Sequence, residues 1–160
     1  MIVMDIRIRK ATKNDYTAVD ELMCNLHNIH VNSRPDMYQS IDHPYTYEDY
    51  IGKLKDENSA IFVATNGDNI IGICFITFRI STNNPTMVSS FIAYIDSICV
   101  RDEYQNVGVG SRLYQCATQI AQEKGAKRLE LMVWDFNTNA MKFYEHKGMK
   151  TQRSFLEVNL

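Results

Sequence analysis

A mixed α/β sheet covered by helices is the fold this sequence predicts, on three observations. Short runs rich in β-branched and aromatic residues recur along the chain, some alternating with polar residues and some continuous. Between them lie apolar stripes at helical spacing, such as Val19, Leu22, Met23 and Leu26. Capping residues or glycine turns precede those stripes. The order read from these signals is β-α-α-β-β-β-α-β-α-β.

Each element has a local reason. Ile6 and Ile8 alternate with Arg7 and Arg9, which predicts a short first strand. Thr12 followed by Asp15 resembles a capping box and opens a helix to about His30. Residues 31–45 carry two of the three prolines and read as a loop. Thr46, with Asp49 three residues on, caps a second helix. Strands over 60–65 and 70–79 flank the turn Asn66-Gly67-Asp68-Asn69. A loop over 81–90 leads to a long strand over 91–100. A helix follows over 108–125, striped by Leu113, Ala117, Ile120 and Ala121. A strand over 129–133, a helix over 137–147 ending at Gly148, and a last strand over 155–158 complete the order.

Length and composition exclude several classes. The chain has 160 residues, 45% hydrophobic and 22% charged, which predicts one domain with a real core and excludes disordered and fibrous classes. With 17 Lys plus Arg against 19 Asp plus Glu, the chain lacks the basic field of a nucleic-acid or membrane-surface binder. The opening MIVMDIRIRK has too short an apolar run for a signal peptide. The longest apolar stretch, 70–78, is far short of the ~20 residues a bilayer needs. Cys24, Cys74, Cys99 and Cys116 form no C-x-x-C pair and are expected to be reduced thiols in a cytoplasmic protein.

The informative segment is RDEYQNVGVGS between a strand and a helix. Gly108 and Gly110 let backbone approach a ligand closely, and the helix start points free N–H groups and a positive dipole end toward it. A Walker loop is excluded because no Gly-Lys-Ser or Gly-Lys-Thr follows. A dinucleotide fingerprint lacks its third glycine, since Leu113 stands there. An ordinary strand-to-helix turn that happens to use glycines is the remaining alternative.

The turn has company. The pattern Q-x-x-G-x-G at Gln105 to Gly110 is followed, about thirty residues later, by NTNAMKFYEHKGM. In the latter, Asn137, Ala140, Phe143, Tyr144, Gly148 and Met149 fill N-x-x-A-x-x-F-Y-x-x-x-G-[FM] without a gap. Together these resemble the GNAT superfamily of acetyl-CoA-dependent N-acetyltransferases, over roughly residues 91–150. The resemblance implies a central mixed sheet whose fourth and fifth strands splay apart around the cofactor. It implies that Ile98, Cys99 and Val100 present main-chain groups to the pantetheine arm of acetyl-CoA. By the same likeness Gln105, Asn106, Val107, Gly108, Val109, Gly110 and Ser111 cradle the pyrophosphate, Asn137 and Ala140 meet the pantetheine, and Tyr144 is the general acid. A helix tyrosine packed beside Phe143 is the competing reading of Tyr144.

Chemistry fits those roles. Direct transfer from a thioester in a ternary complex needs a neutral amine, and a lysine-like amine titrates near ~10.4. Asp96 on the fourth strand is the candidate base, with a carboxylate paired to a nearby cation as the alternative. Alternation is expected to put Tyr94, Asp96 and Ile98 on the face of Val100, and Cys99 on the other. The loop departs from the family's usual Arg and Lys: Gln105, Asn106 and Val107 are neutral, so Arg101 or Arg112 would add charge.

Weaker signals lie in the first half. His27, His30 and His43 with Asp36 and Asp42 suggest zinc, but no third ligand has a recognised spacing; surface or pocket-lining histidines are the alternative, and no metal is expected. Tyr38, Tyr45, Tyr47 and Tyr50 with Asp36, Asp42, Glu48 and Asp49 suit either a pocket for a cationic amine or a solvated acidic face. Trp134 stands beside the pantetheine slot or finishes the core. The expected protein is an acetyl-CoA:amine N-acetyltransferase acting on a small-molecule, peptide or protein amine, with a homodimer left open. The alternative is a non-catalytic acyl-CoA-binding module of the same fold.

Overall fold

Five strands make one sheet in the order β1-β2-β3-β4-β5. They are β1 (Ile6–Lys10), β2 (Ser59–Asn66), β3 (Asn69–Ile80), β4 (Phe91–Val100) and β5 (Arg128–Glu130). The helices are α1 (Tyr16–Ser33), α2 (Tyr47–Lys55), α3 (Val109–Glu123) and α4 (Thr138–His146). The coordinates are a computed structural model that describes residues 4–160, so the apolar opening run at 1–3 lies outside the described residues. Strands β1 to β4 pair antiparallel, and β4 and β5 pair parallel. No helix among the described residues is long and apolar enough to cross a membrane.

The sheet's two faces carry two cores. On one face Val109, Leu113, Ala117 and Ala121 of α3 pack on Phe62, Cys74, Ile76, Phe78, Ala93 and Ile95. On the other, Val19 and Leu22 of α1 and Tyr50 of α2 cover Ile61, Val63, Ile73 and Phe75. Neighbours such as Ile61 and Phe62 go to opposite cores because successive strand side chains alternate. Gly72 of β3 lies directly under α3. A Cβ there would lie 3.0 Å from Leu113 Cδ1, 3.1 Å from the Cys99 carbonyl oxygen and 3.3 Å from Val109 Cγ1.

Local signals place most boundaries. The Thr12–Asp15 box closes a 3-10 turn (Lys13–Asp15), with Thr12 N donating to Asp15 Oδ2 at 2.7 Å, and α1 begins after it. Arg9 pairs with the same carboxylate at 2.8 Å. Thr46 Oγ1 accepts from Asp49 N at 3.2 Å and starts α2.

Two expected strands differ. The strand expected over 129–133 forms a ladder only over Arg128–Glu130, because its partner β4 diverges after Tyr94. The strand expected over 155–158 does not form. Residues 150–160 find no ladder partner among the described residues, and Phe155, Leu156, Val158 and Leu160 stay exposed. Strand propensity alone cannot satisfy a backbone; a neighbour must supply the hydrogen bonds.

Candidate active site

The β4–β5 ladder holds three residue pairs and stops at Tyr94↔Glu130. Beyond it the chains splay, and residues 95–98 face 131–134 across a cleft of about 110 Å³. Leu26 and His30 of α1, and Asn137, Ala140 and Tyr144 at α4, complete its walls. The splay follows from an irregularity in β4. Phe75 pairs with Ser97 and Ile76 with Ile95, which leaves Asp96 as an extra, bulged residue.

The bulge corrects the expected face of Asp96. Ile98 and Val100 pack toward α3, as does Ile95, so the alternation breaks between them. Asp96 instead turns toward α2. Its Oδ2 accepts from Thr77 Oγ1 at 2.6 Å and from Lys53 Nζ at 3.1 Å. Lys53 Nζ also donates to Thr77 Oγ1 at 2.6 Å. Tyr94 does not share the Val100 face either: it pairs with Thr77 across the ladder, and Arg79 lies 4.2 Å over its ring. The carboxylate still lines the cleft, with its side chain about a third exposed (33%).

Across the cleft, α4 presents the motif residues. Asn137 caps α4, its Oδ1 accepting from Ala140 N at 3.2 Å, which leaves the amide nitrogen free to donate. Ala140 adds only a methyl group to the wall. Tyr144 packs at 5.1 Å from Phe143 and 6.2 Å from Tyr114. Burial, reinforced by Cys74 and Tyr114, pushes its phenol above the ordinary tyrosine range. The hydroxyl therefore keeps its proton at neutral pH, as a donor must.

The glycine turn sits at the start of α3. Gly108 caps the helix at φ 93° and Asn106 adopts φ 61°, so the backbone doubles back into a concave stretch. Gly110 is under no steric demand from the fold, since a Cβ there would lie in ordinary contact with the Phe143 ring at 3.7 Å. Val109 is core, so only its backbone can reach a ligand. Gln105 Nε2 donates to the Val100 carbonyl at 3.2 Å and to Asp102 Oδ1 at 2.9 Å.

The cation beside this turn is not one the sequence singled out. Arg101 is committed to Glu21 at 2.7 Å and the Ile70 carbonyl at 2.9 Å. Arg112 Nη1 donates to the Ile6 carbonyl at 2.6 Å. Lys147, at the end of α4, brings Nζ to 2.7 Å from Ser111 Oγ in the first turn of α3. Its position in EHKGM carried no signal, because only packing brings the end of α4 against the start of α3.

Cys99 lies on the α1 face, where its Sγ is 3.6 Å from the Leu22 carbonyl oxygen and burial pushes its thiol up to about 11. With Val100, Gln105 and residues of α1 it lines a second hollow of about 90 Å³. The site residues expected from sequence therefore divide. Asp96, Ile98, Asn137, Ala140 and Tyr144 meet in the cleft, while Cys99, Val100 and Gln105 lie beside it.

Sequence reasoning missed part of the wall. Leu26, Ser97, Met132 and Val133 line the cleft unannounced; His30 does so in keeping with a pocket-lining reading of the histidines, and Trp134 does so rather than finishing a core. The tyrosine cluster disperses: Tyr50 is fully buried with its hydroxyl donating to the Thr12 carbonyl at 2.6 Å, while Tyr38 stacks beside His30. Asp20, Cys24 and His43 bring ligand-type atoms within 4.8 Å of one another, a grouping that sequence spacing did not reveal.

Comparison with known proteins matches residues 23–149 to the Acetyltransferase (GNAT) family. L-ornithine N5-acetyltransferase of Arabidopsis thaliana is 28% identical over 95 residues, 59% of this chain and 41% of that protein. The chain thus spans less than half the length of that curated relative. A crystal structure of a mutant of the BH1408 protein of Bacillus halodurans superposes with a TM-score of 0.92 at 27% identity, covering 96% of this chain and 99% of that one. Aminoglycoside N-acetyltransferase AAC(6')-Iy, solved in complex with CoA, shares the fold with a TM-score of 0.74 at 18% identity, covering 96% and 98%. With its splayed fourth and fifth strands, its glycine turn and this match over most of its length, the chain belongs to the GNAT family of acetyltransferases.

Proposed function

We propose that this chain is one N-acetyltransferase domain that moves an acetyl group from acetyl-CoA to a primary amine, by direct transfer in a ternary complex in the cytoplasm. The observation that carries this reading is the convergence of Asp96, Asn137 and Tyr144 on one cleft between splayed strands. The residues present fit the cosubstrate. The free edge of β4 offers backbone groups, Asn137 an amide donor, Ala140 room, and the α3 start a concave run of N–H groups. When bound, acetyl-CoA would supply the activated acetyl thioester.

The residues divide the work. Ile98, Cys99 and Val100 hold the pantetheine arm through their main chain. Residues 105–111 hold the pyrophosphate through backbone N–H groups, with Lys147 adding positive charge. A β4 backbone N–H stabilises the oxyanion. Tyr144 gives its proton to the departing sulfur and recovers one from solvent. Asp96 keeps Oδ2 on Lys53 and Thr77, and its Oδ1 accepts a proton from the acceptor nitrogen as the N–C bond forms. Cys99 takes no part, since its thiol faces α1 and keeps its proton. A cationic acceptor suits a cleft with this carboxylate, and L-ornithine and aminoglycosides, the acceptors named for relatives, are cationic amines.

Release of CoA thiol from acetyl-CoA, measured across a panel of polyamines, diamino acids and peptide N-termini, tests the reading. At least one amine should accelerate release. Binding of acetyl-CoA with no transfer to any amine would leave the non-catalytic acyl-CoA module. Lys147→Ala should raise the acetyl-CoA dissociation constant about two- to five-fold at low salt, less at high salt, with the maximal rate nearly unchanged. Calorimetry at two salt concentrations checks this, and equal affinity would place the pyrophosphate elsewhere.

The chain is further proposed to form a homodimer. Phe155, Leu156 and Val158 are 95%, 89% and 79% exposed, neighbouring apolar side chains that a second copy would cover. Light scattering should give twice the chain mass, and Phe155→Ser with Leu156→Ser should halve it. A monomeric wild type would reject the dimer.

A further inference from the structure

We propose that His30 is a second proton acceptor for the amine in the cleft, taking the proton that must leave before attack. This rests on the acetyltransferase reading above. The need is arithmetic. An ammonium becomes an amide nitrogen by losing two protons, one to expose its lone pair and one as the N–C bond forms. Asp96 has one oxygen to offer, because Oδ2 is committed to Lys53 and Thr77.

His30 has the right atom free. Its Nδ1 lies 2.9 Å from the Leu26 carbonyl oxygen, one turn earlier on α1. A carbonyl can only accept, so Nδ1 carries the hydrogen and a neutral ring keeps its lone pair on Nε2. His30 is the histidine that lines this cleft, together with Asp96 and Tyr144. The other described histidines are placed differently: His27 meets the Gln39 carbonyl through Nε2, His43 pairs with Asp20, and His146 lies exposed on α4.

The ring is also held in place. Tyr38 packs 5.0 Å from it and Phe136 6.2 Å. The Tyr38 hydroxyl accepts from Trp134 Nε1 at 3.0 Å, and Trp134 stacks on Phe136 at 5.9 Å. Arg34 lies 5.1 Å over Trp134 and is anchored by Asp36 at 2.8 Å and Glu157 at 2.7 Å. A base held by α1, the following loop and the β5–α4 connection needs no reorganisation when the amine arrives.

The step balances. The ammonium gives one proton to Nε2 and keeps the electron pair of that N–H bond as its lone pair. The imidazolium keeps its Nδ1–H on Leu26 and releases the new proton to water in the cleft, where the ring is only partly buried. The charged and titratable groups around the ring are His27 of α1, Arg34 at its C-cap, Asp36 and Tyr38 of the loop, Asp96 with Lys53 across the cleft, Tyr144 of α4, and Glu157. Lys53 is paired with Asp96, and Arg34 with both Asp36 and Glu157, so these pairs leave one carboxylate in excess around the ring.

His30→Asn tests this, since its amide can still donate to Leu26 but cannot take up a proton. With an amine that supports turnover, the maximal rate at neutral pH should fall about 10²-fold, with acetyl-CoA affinity by calorimetry unchanged. The defect should shrink as pH rises toward the amine's own pKa of about 10, because bulk water then supplies neutral amine. A defect of packing would stay constant. Independently of turnover, nitrogen NMR of the wild type should show the Nδ1–H tautomer for the resonance that His30→Asn removes, and that resonance should shift on adding the amine. Wild-type turnover in the variant, or a defect constant with pH, overturns the assignment. Failure of the wild type to acetylate any amine overturns the enzymatic reading itself, and the two failures are distinct. If His30→Asn does not fold, His30→Ala with added imidazole decides: restored rate supports the role and no restoration rejects it.

Discussion

Tyr144→Phe should slow acetyl transfer by about 10²-fold or more, with acetyl-CoA affinity held within about two-fold. The substitution deletes one hydroxyl and leaves the ring against Phe143 and Tyr114. Burial keeps the phenol protonated well past neutral pH, so the wild-type residue always carries the proton it is to give. A thiol titrates near 8.5, so the departing sulfur becomes the better resting place for a proton only as it leaves. The loss should therefore fall on the maximal rate, because the interaction exists in the transition state and not before it. Steady-state kinetics with calorimetry on the same variant separates the two quantities. A Phe variant that turns over at the wild-type rate would make Tyr144 a packing residue.

The largest expected loss of stability lies away from the cleft, at Gly72→Val. A Cβ there already meets Leu113, the Cys99 carbonyl and Val109 at 3.0 to 3.3 Å, and valine adds two methyl groups behind it. The carbonyl belongs to β4, which is locked to β3, and Leu113 and Val109 are fully buried, so relief requires lifting α3 off the sheet. Overpacking of this kind costs about 3 kcal/mol at the upper end of its usual range. For a chain of this size that lowers the melting temperature by roughly 6–12 °C. Thermal melting followed by circular dichroism measures it. Leu113→Ala should cost less in the Gly72→Val background than in the wild type, since there it relieves one of the three contacts. A melting temperature within about 2 °C of wild type would mean that α3 does not lie this close to β3.

The two substitutions also separate what short-range chemistry encodes from what packing decides. Strand 91–100, the turn with Gly108 and the helix capped by Asn137 were legible in the sequence. Each is announced by residues within a few positions: an apolar run, a pair of glycines before an apolar stripe, a closing Gly148. The motif spacing likewise brought Asn137, Ala140 and Tyr144 to one cleft, because one helix carries all three.

Four other features depended on partners distant in sequence. Asp96 turned to the α2 face because a bulge inserted one residue into β4, and no local composition signals a bulge. Arg101 and Arg112 were drawn to Glu21 and Ile6, leaving Lys147 as the cation at the start of α3. His30 reached the cleft only because α1 crosses the end of β4 and the loop after it folds Tyr38 onto the ring. Residues 155–158 have strand composition and form no strand, since hydrogen bonds between strands need a second chain segment in place. The sequence by itself determined most of the elements and placed Asn137, Ala140 and Tyr144 together on α4, through interactions a few residues long. The tertiary structure alone decided which charged and titratable groups meet there, because those contacts join residues tens of positions apart.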